Sequence, residues 1–332
     1  MVKGFTPTIE CSVDGRSITS LLMSRLVEAS VTDGTGIDDD RLMITVDNPG
    51  DRIARPRKGA KVLFAGGYRE TGIRTFGNFI VEDVEKSAPN RKLTIIARAG
   101  SPGNAIKEKR YASHEEKSID DIVSEIAGIH GLTPAIGEDL ASVVIPFRAQ
   151  IGESDMHLLT SLGMRLGAVA SIKDGYLIFA RKGKAASVTG KPLPVVTIGM
   201  DDLYGEDAFL VRGTARNSYG TIRAFYHDRQ QSNRRFVEVS SDGPLLQLPE
   251  VYQSEDEART AIDGERNNRD RSEENLSVTI QGNITVQADA KLIVAGIDRD
   301  GDGEWSVETA EHSWSGSEIY QTTIEAVRKE RE

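Results

Sequence analysis

The stretch Ala60–Gly67, AKVLFAGG, returns about 230 residues downstream as Ala290–Ile297, AKLIVAGI. The strings around it return as well. NFIVEDVEKS (Asn78–Ser87) is matched by EWSVETAEHS (Glu304–Ser313), and RKLTIIARA (Arg91–Ala99) by IYQTTIEAV (Ile319–Val327). Upstream, RLMITVDN (Arg41–Asn48) pairs with NLSVTIQGN (Asn275–Asn283), and RLVEASVTD (Arg25–Asp33) with TIRAFYHD (Thr221–Asp228). Chance readily yields one such pair of β-rich strings, whereas five in the same order imply an internal repeat. The chain is therefore expected to hold two similar β domains.

Residues 1–100 read as strands of alternating apolar and polar residues, broken by Gly, Pro, Asn and Asp clusters. TIECSVDGRSIT turns at Asp14–Gly15, a hairpin signal. The period changes over 101–190. SIDDIVSEIAGIHG places Ile119, Ile122, Val123, Ile126 and Ala127 on one helical face behind Ser118, a suitable N-cap, with Gly128 or Gly131 as the stop. ESDMHLLTSLGMRLGA aligns Met156, Leu159, Leu162 and Leu166 on one stripe, with Ser154 at its start. It leads into a hairpin turning at Asp174–Gly175, which completes a small α/β module, and KAASVTGKPLP (184–194) reads as a linker. Residues 191–332 return to strands, with a polar helix inserted near 254–271. Ser254 caps that helix and acidic residues fill its first turn, and its charge reads as a solvated face. The expected fold is mainly β with an α+β insertion: two antiparallel β-barrel domains, 1–100 and 191–332, flank the module.

The 332-residue chain is 38% hydrophobic and 28% charged, with a net charge of −10. It is long enough for two or three domains with real cores. The charge argues against a protein that grips nucleic-acid phosphates. Cys11 is the lone cysteine, so no intrachain disulfide is expected; the thiol reads as a semi-buried apolar group, with a bridge between subunits as the alternative. The start, MVKGFTPTIE, lacks an apolar signal core and no run approaches membrane-span length. A protein made in the cytoplasm, not exported by a cleaved signal and without a membrane span, is expected.

GIDRDGDGEW (Gly296–Trp305) sets Asp298, Asp300 and Asp302 at alternate positions before Gly303, the front half of an EF-hand loop. Strands are expected on both sides where an EF-hand needs helices, and Thr309 stands where the bidentate glutamate belongs. The equivalent stretch of the first copy, YRETGIRTFG, has no aspartate ladder. A hairpin tip is the expected reading, since Asp and Gly tolerate positive φ and cap their own backbone. Catalytic patterns are missing elsewhere. His114, His130, His157, His227 and His312 are scattered. Gly190–Lys191 lacks the rest of a phosphate loop, and Glu115–Glu116 and Glu273–Glu274 lie in polar runs. Trp305 and Trp314 read as packing anchors. No catalytic, cofactor-binding or metal site is expected, and no enzyme.

Four stretches together resemble the late control protein D family, the baseplate hub proteins of contractile-tailed phages. They are SIDDIVSEIAGIHGL, ESDMHLLTSLGMRLGAVASIKDGYLIF, SEDEARTAIDGERNNRDRSEENLSVTIQGN, and the ending AKLIVAGI…DGEWSVETAEHSWS…YQTTIEA. The carrying residues are Leu166–Gly167–Ala168 before the Asp174–Gly175 turn, then Trp305 and His312 before the final strand; SEIYQTT departs from the family's usual Gly-Tyr-x-Thr ending. The resemblance implies tube-like β domains and a homotrimer forming a pseudo-sixfold ring between the hexameric tail tube and the trimeric central spike. It implies a place in the virion baseplate, assembled in the host cytoplasm, with tape measure and wedge proteins as further neighbours. DNA would pass through without specific binding, and no catalytic residue carries over. A calcium-dependent adhesin-like module and a tail-associated cell-wall hydrolase are the rival readings.

Overall fold

The computed structural model describes residues 4–35, 40–89, 91–99, 104–173, 175–181, 193–213, 220–228, 233–240, 243–270, 274–316 and 319–328. Asp174 of the expected hairpin turn and most of the expected linker lie outside these residues. The first part of the chain runs β1 (Pro7–Val13), β2 (Arg16–Ser17), α1 (Thr19–Met23), β3 (Leu26–Gly34), β4 (Arg41–Asp47), β5 (Lys61–Tyr68), β6 (Gly72–Ser87) and β7 (Lys92–Ala99). The module holds β8 (Lys109–Ser118), α2 (Ile119–Ile129), β9 (Thr133–Ile136), α3 (Glu138–Ala141), β10 (Val144–Ser154), α4 (Asp155–Leu166), β11 (Ala168–Lys173) and β12 (Tyr176–Arg181). The rest runs β13 (Val195–Ile198), β14 (Phe209–Gly213), β15 (Thr221–Asp228), β16 (Asn233–Ser240), β17 (Leu245–Tyr252), α5 (Glu255–Asp270), β18 (Glu274–Gln281), β19 (Lys291–Val294), β20 (Gly303–Ser315) and β21 (Ile319–Arg328). The fold is mainly β with a few helices.

One 13-stranded sheet carries both copies of the repeat, in the order β14-β18-β21-β20-β3-β4-β7-β6-β5-β1-β2, with β19 on β20 and β13 on β19. Within it the run β4-β7-β6-β5-β1 matches β18-β21-β20-β19-β13. The match extends to register. Lys61 faces Ile80 where Lys291 faces Ser306, and Leu42 faces Ala97 where Leu276 faces Ala326. Each copy shifts register at the same place, between Val81 and Asp83 and between Val307 and Thr309. The extra residue of each β-bulge is a glutamate, Glu82 or Glu308. The copies differ in their first strand: β1 is antiparallel to β5, whereas β13 is parallel to β19.

Two of the sequence matches need correction. RLVEASVTD does not correspond to TIRAFYHD. The partner of β18 is β14, as the partner of β4 is β3, while β15 lies in a separate three-stranded sheet with β16 and β17. Period-2 alternation marks a half-buried strand but not its neighbour, so two strings can alternate alike without occupying equivalent places in the sheet. The final match shifts by one residue, aligning Ala97 with Ala326 rather than with Glu325. The insertion into the second copy is accordingly larger than a helix: β15, β16, β17 and α5 all stand between β14 and β18.

Alternation explains the burial. Leu42, Ile44 and Val46 of β4 point into one core, as Leu276, Val278 and Ile280 of β18 point into another. Each such side chain is worth about 1.5–3 kcal/mol of transfer free energy. The helices follow their expected stripes. In α2, Ser118 caps Asp121 N–H and the Asp121 carboxylate returns the bond, while Ile119, Ile122, Val123, Ile126 and Ala127 are buried. Ser154 caps α4 by accepting from His157 N–H, and Gly167 closes that helix at φ 63°, a left-handed conformation open to glycine. These helices cover the β11-β12-β9 sheet around Leu177 and Phe179. Helix α5 buries Ala258, Ala261 and Ile262 under β15–β17, so only its outer face is solvated.

Candidate functional site

The two copies meet where β20 of the second pairs antiparallel with β3 of the first, from Thr309 opposite Gly34 to Ser315 opposite Glu28. This seam joins the two halves of the sheet, and aromatic side chains pack along it. Trp314 and Tyr320 stack with ring centroids 4.6 Å apart, and Phe64 and Phe76 approach Trp314 edge-on at 5.5 and 5.6 Å. Both rings come from the end of the chain yet belong to the core of its beginning. Gly66 lies under the Trp314 ring and Gly282 under the Tyr320 ring, so a Cβ at either position would overlap the aromatic carbons. Trp305 and Trp314 are both buried, as packing anchors should be.

His312 sits inside the seam with no solvent exposure. Its Nε2 is 3.1 Å from the Val286 carbonyl, which can only accept, so Nε2 carries the proton. Nδ1 then accepts from the Tyr320 hydroxyl at 2.9 Å. Burial, reinforced by the Arg74 charge, pushes its pKa down to about 4 and keeps the ring neutral at neutral pH. Arg74 clasps the second copy from the β5–β6 hairpin, donating to the Ile284 and Val286 carbonyls at 3.1 and 3.3 Å and to Gln287 Oε1 at 3.1 Å. Asp33 accepts from Ala288 N–H at 3.2 Å, and the Tyr68 hydroxyl donates to the Tyr320 carbonyl at 3.2 Å.

Two of the three aspartates of the expected EF-like turn, Asp298 and Asp302, are spent on their own backbone. The Asp302 carboxylate accepts from the N–H groups of Gly296, Ile297 and Asp298, and that of Asp298 from Asp300 and Gly301. The loop carbonyls are also taken. Arg328 donates to the Asp300 and Asp302 carbonyls and lies over the Trp305 ring at 4.1 Å, while Trp305 Nε1 donates to the Gly301 carbonyl at 2.8 Å. A guanidinium, rather than a set of converging carboxylates, satisfies this loop. Among the described residues no group of three or more His, Cys, Asp or Glu could hold a metal ion.

The histidines stay scattered. His130, at the C-terminus of α2, is 2.7 Å from the fully buried Asp155 at the N-terminus of α4. Arg110 and Gln150 bond the same carboxylate at 2.7 and 2.8 Å. Burial opposes the charge on Asp155, but the bonds from Gln150, His130 and Arg110 outweigh it, and the pKa lies below the ordinary carboxylate value. The Asp155 charge suits the N-terminal end of α4, and the network fastens two helices to β8. His157 is exposed beside Glu153, and His114 is buried under α2. His227 borders a cleft of about 390 Å³ with Phe147, Val251, Tyr252 and Gln253. Sequence reading missed the ribbon of β8 and β10, which presents Tyr111 and Ile151 as an exposed cross-strand pair. Among the described residues no helix is long and apolar enough to cross a membrane.

No family model matches the chain. Two curated relatives do, each named "Probable baseplate hub protein". That of Escherichia phage 186 is 31% identical over 196 residues, 59% of this chain and 50% of the relative. That of Escherichia phage P2 is 30% identical over 197 residues, 59% of this chain and 51% of the relative. The matches therefore span about half the length of these relatives. The crystal structure of the 43 kDa tail protein of prophage MuSo2 from Shewanella oneidensis superposes with a TM-score of 0.73, at 14% identity, over 97% of this chain and 98% of that one. By sequence over part of its length, and by fold over nearly all of it, the chain is similar to phage baseplate hub and tail proteins.

Proposed function

We propose that the chain is the structural hub of a contractile phage-tail or tailocin baseplate: a homotrimer whose pseudo-sixfold ring joins a hexameric tail tube to a trimeric spike. The observation that carries this reading is the duplicated five-strand unit, with one register, one bulge position and a direct edge-to-edge seam. Two such units per chain and three chains give six near-equivalent positions, which suits a sixfold partner on one rim and a threefold partner on the other. In this reading residues 1–100 and 191–332 are the tube-like domains and residues 101–190 the module that breaks the sixfold likeness. The net charge of −10 suits a bore that repels DNA phosphates and lets DNA pass without holding it. The protein has no catalytic task of its own in this scheme.

Native mass spectrometry of the purified protein, alone and with a candidate spike, tests the proposal. A trimer is expected, at least with the spike bound. A stable monomer or dimer within otherwise complete tails overturns it. A peptidoglycan zymogram whose clearing disappears on a single Asp or Glu substitution overturns the non-enzymatic part.

A further inference from the structure

The seam inside the chain has a second, unfilled half. β20 uses Thr309–Ser315 to pair with β3, and the equivalents of these two segments in the other copy are the end of β6 and β14. Among the described residues, both are bare edges: β14 pairs with β18 alone, and Asp83–Ser87 of β6 pairs with β7 alone. Resting on the ring reading above, we infer that β14 of one copy of this chain adds antiparallel to the end of β6 of the next.

The repeat sets the register. Asp33 faces Ala310, Thr32 faces Glu311, Val31 faces His312 and Ser30 faces Ser313 within the chain. Transferring both strands to their equivalents puts Gly213 opposite Val84, Arg212 opposite Glu85, Val211 opposite Lys86 and Leu210 opposite Ser87. Arg212 and Glu85 are then a cross-strand pair of opposite charge, which favours this register over its neighbours. Both are exposed, and neither has an ion-pair partner among the described residues.

Hydrogen-bond phase agrees. Thr35 N–H donates to the Glu308 carbonyl, so by alternation Asp33 and Ala310 form a hydrogen-bonded pair and Thr32 and Glu311 a non-hydrogen-bonded one. Val84, the equivalent of Ala310, should therefore point its backbone groups outward. It does. Its N–H turns to the Asp83 carboxylate at 2.9 Å, and its carbonyl accepts from Arg55 at 2.7 Å. These side chains, with the exposed Lys86–Asp51 pair, stand in for a strand. An incoming strand supplies the same donors and acceptors from its backbone and can replace them. A contact between unlike edges is head-to-tail, and it closes into a ring when the rotation between units allows.

Disulfide trapping tests the pairing, because a non-hydrogen-bonded pair brings Cα atoms to about 4.5 Å, within the span of a disulfide at roughly 4.4–6.8 Å. The full chain carrying Glu85→Cys and Arg212→Cys is oxidised at a concentration at which native mass spectrometry reports assembly. The native Cys11 can stay, since burial pushes its thiol up to about 12. Covalent trimers that reductant dissolves are expected, with neither single variant linking into a ladder. Glu85→Cys with Val211→Cys, one residue out of register, should link at least tenfold less. A separate readout is charge reversal: Glu85→Arg or Arg212→Glu should weaken assembly, and the two together should restore it. A trimer that traps neither pair, or both equally, overturns the pairing and leaves the ring standing. A protein that stays monomeric with and without the spike overturns both.

Discussion

The hydroxyls of Thr45 and Thr94 lie 3.1 Å apart across β4 and β7, and those of Thr279 and Thr323 repeat the arrangement at 3.2 Å across β18 and β21. The same side-chain pair at the same register position is hard to obtain without duplication of the whole unit. Each pair is half-buried, so each hydrogen bond should contribute about 0.5–1.5 kcal/mol. Thr94→Val and Thr323→Val should therefore destabilise the protein by similar amounts, read as urea midpoints at constant slope. A large cost at one site and none at the other would mean that the copies have diverged in energetics while keeping their geometry.

The two glycines under the seam's aromatic rings should be far less tolerant. Gly282→Ala drives a methyl into the Tyr320 ring and Gly66→Ala drives one into Trp314, and both rings are buried and stacked on each other. Overpacking of this kind costs about 1–3 kcal/mol. Gly128, inside α2, meets nothing within 4 Å. Gly128→Ala should instead stabilise the protein, by up to about 1 kcal/mol from helix propensity. Thermal unfolding of the three variants gives opposite signs if the close approach, rather than glycine as such, is what matters.

How far the fold could be read from sequence depended on whether a signal was local. The α2 stripe and its Ser118 cap lie within one segment, and the structure places them as read. Pairing of distant strands is not local. TIRAFYHD has the alternation of β3, yet it belongs to the inserted sheet. The bulges at Glu82 and Glu308 were equally invisible, because an extra residue in one strand shows only against its partner. KRYASHEEKS, the sequence of β8, looks polar because His114 is the one residue that this strand buries. Trp314 on β20 and Tyr320 on β21 belong by sequence to the second copy, yet both side chains pack in the first core. The bare edges of β6 and β14 could be recognised only once the register of β3 on β20 was known.

The loop Asp298–Asp302 should behave as a turn. Asp302 accepts three backbone N–H groups that have no other acceptor among the described residues, so Asp302→Ala should cost about 1–3 kcal/mol. Asp300→Asn should be nearly neutral. Calcium at millimolar concentration should leave the melting temperature unchanged, because bound ligand stabilises only a site that exists in the folded state. A calcium-dependent rise in melting temperature that Asp298→Asn with Asp300→Asn abolishes would make this loop a metal site.

His312 should make the seam sensitive to acid. Its folded pKa is about 4, lowered first by burial and then by Arg74, while the unfolded chain titrates near 6.5. Between those values the unfolded state binds more protons, so stability rises with pH. The contribution is complete above about pH 6.5 and is lost as pH falls toward 4. At about 1.4 kcal/mol per pH unit it amounts to roughly 3 kcal/mol across the window. A second proton would also turn Nδ1 from acceptor to donor toward Tyr320, since Nε2 already donates to Val286. His312→Gln should be less stable at pH 7, because it forfeits the ring contacts with Phe76 and Trp314. Carboxylates also titrate in this range, so the informative quantity is the difference in slope between the parent and the variant. Chemical denaturation at pH 4.5, 5.5 and 6.5 should show a flatter dependence for His312→Gln. Equal slopes would mean that His312 is protonated in the folded seam as readily as in the open chain, and that the neutral-histidine geometry is wrong.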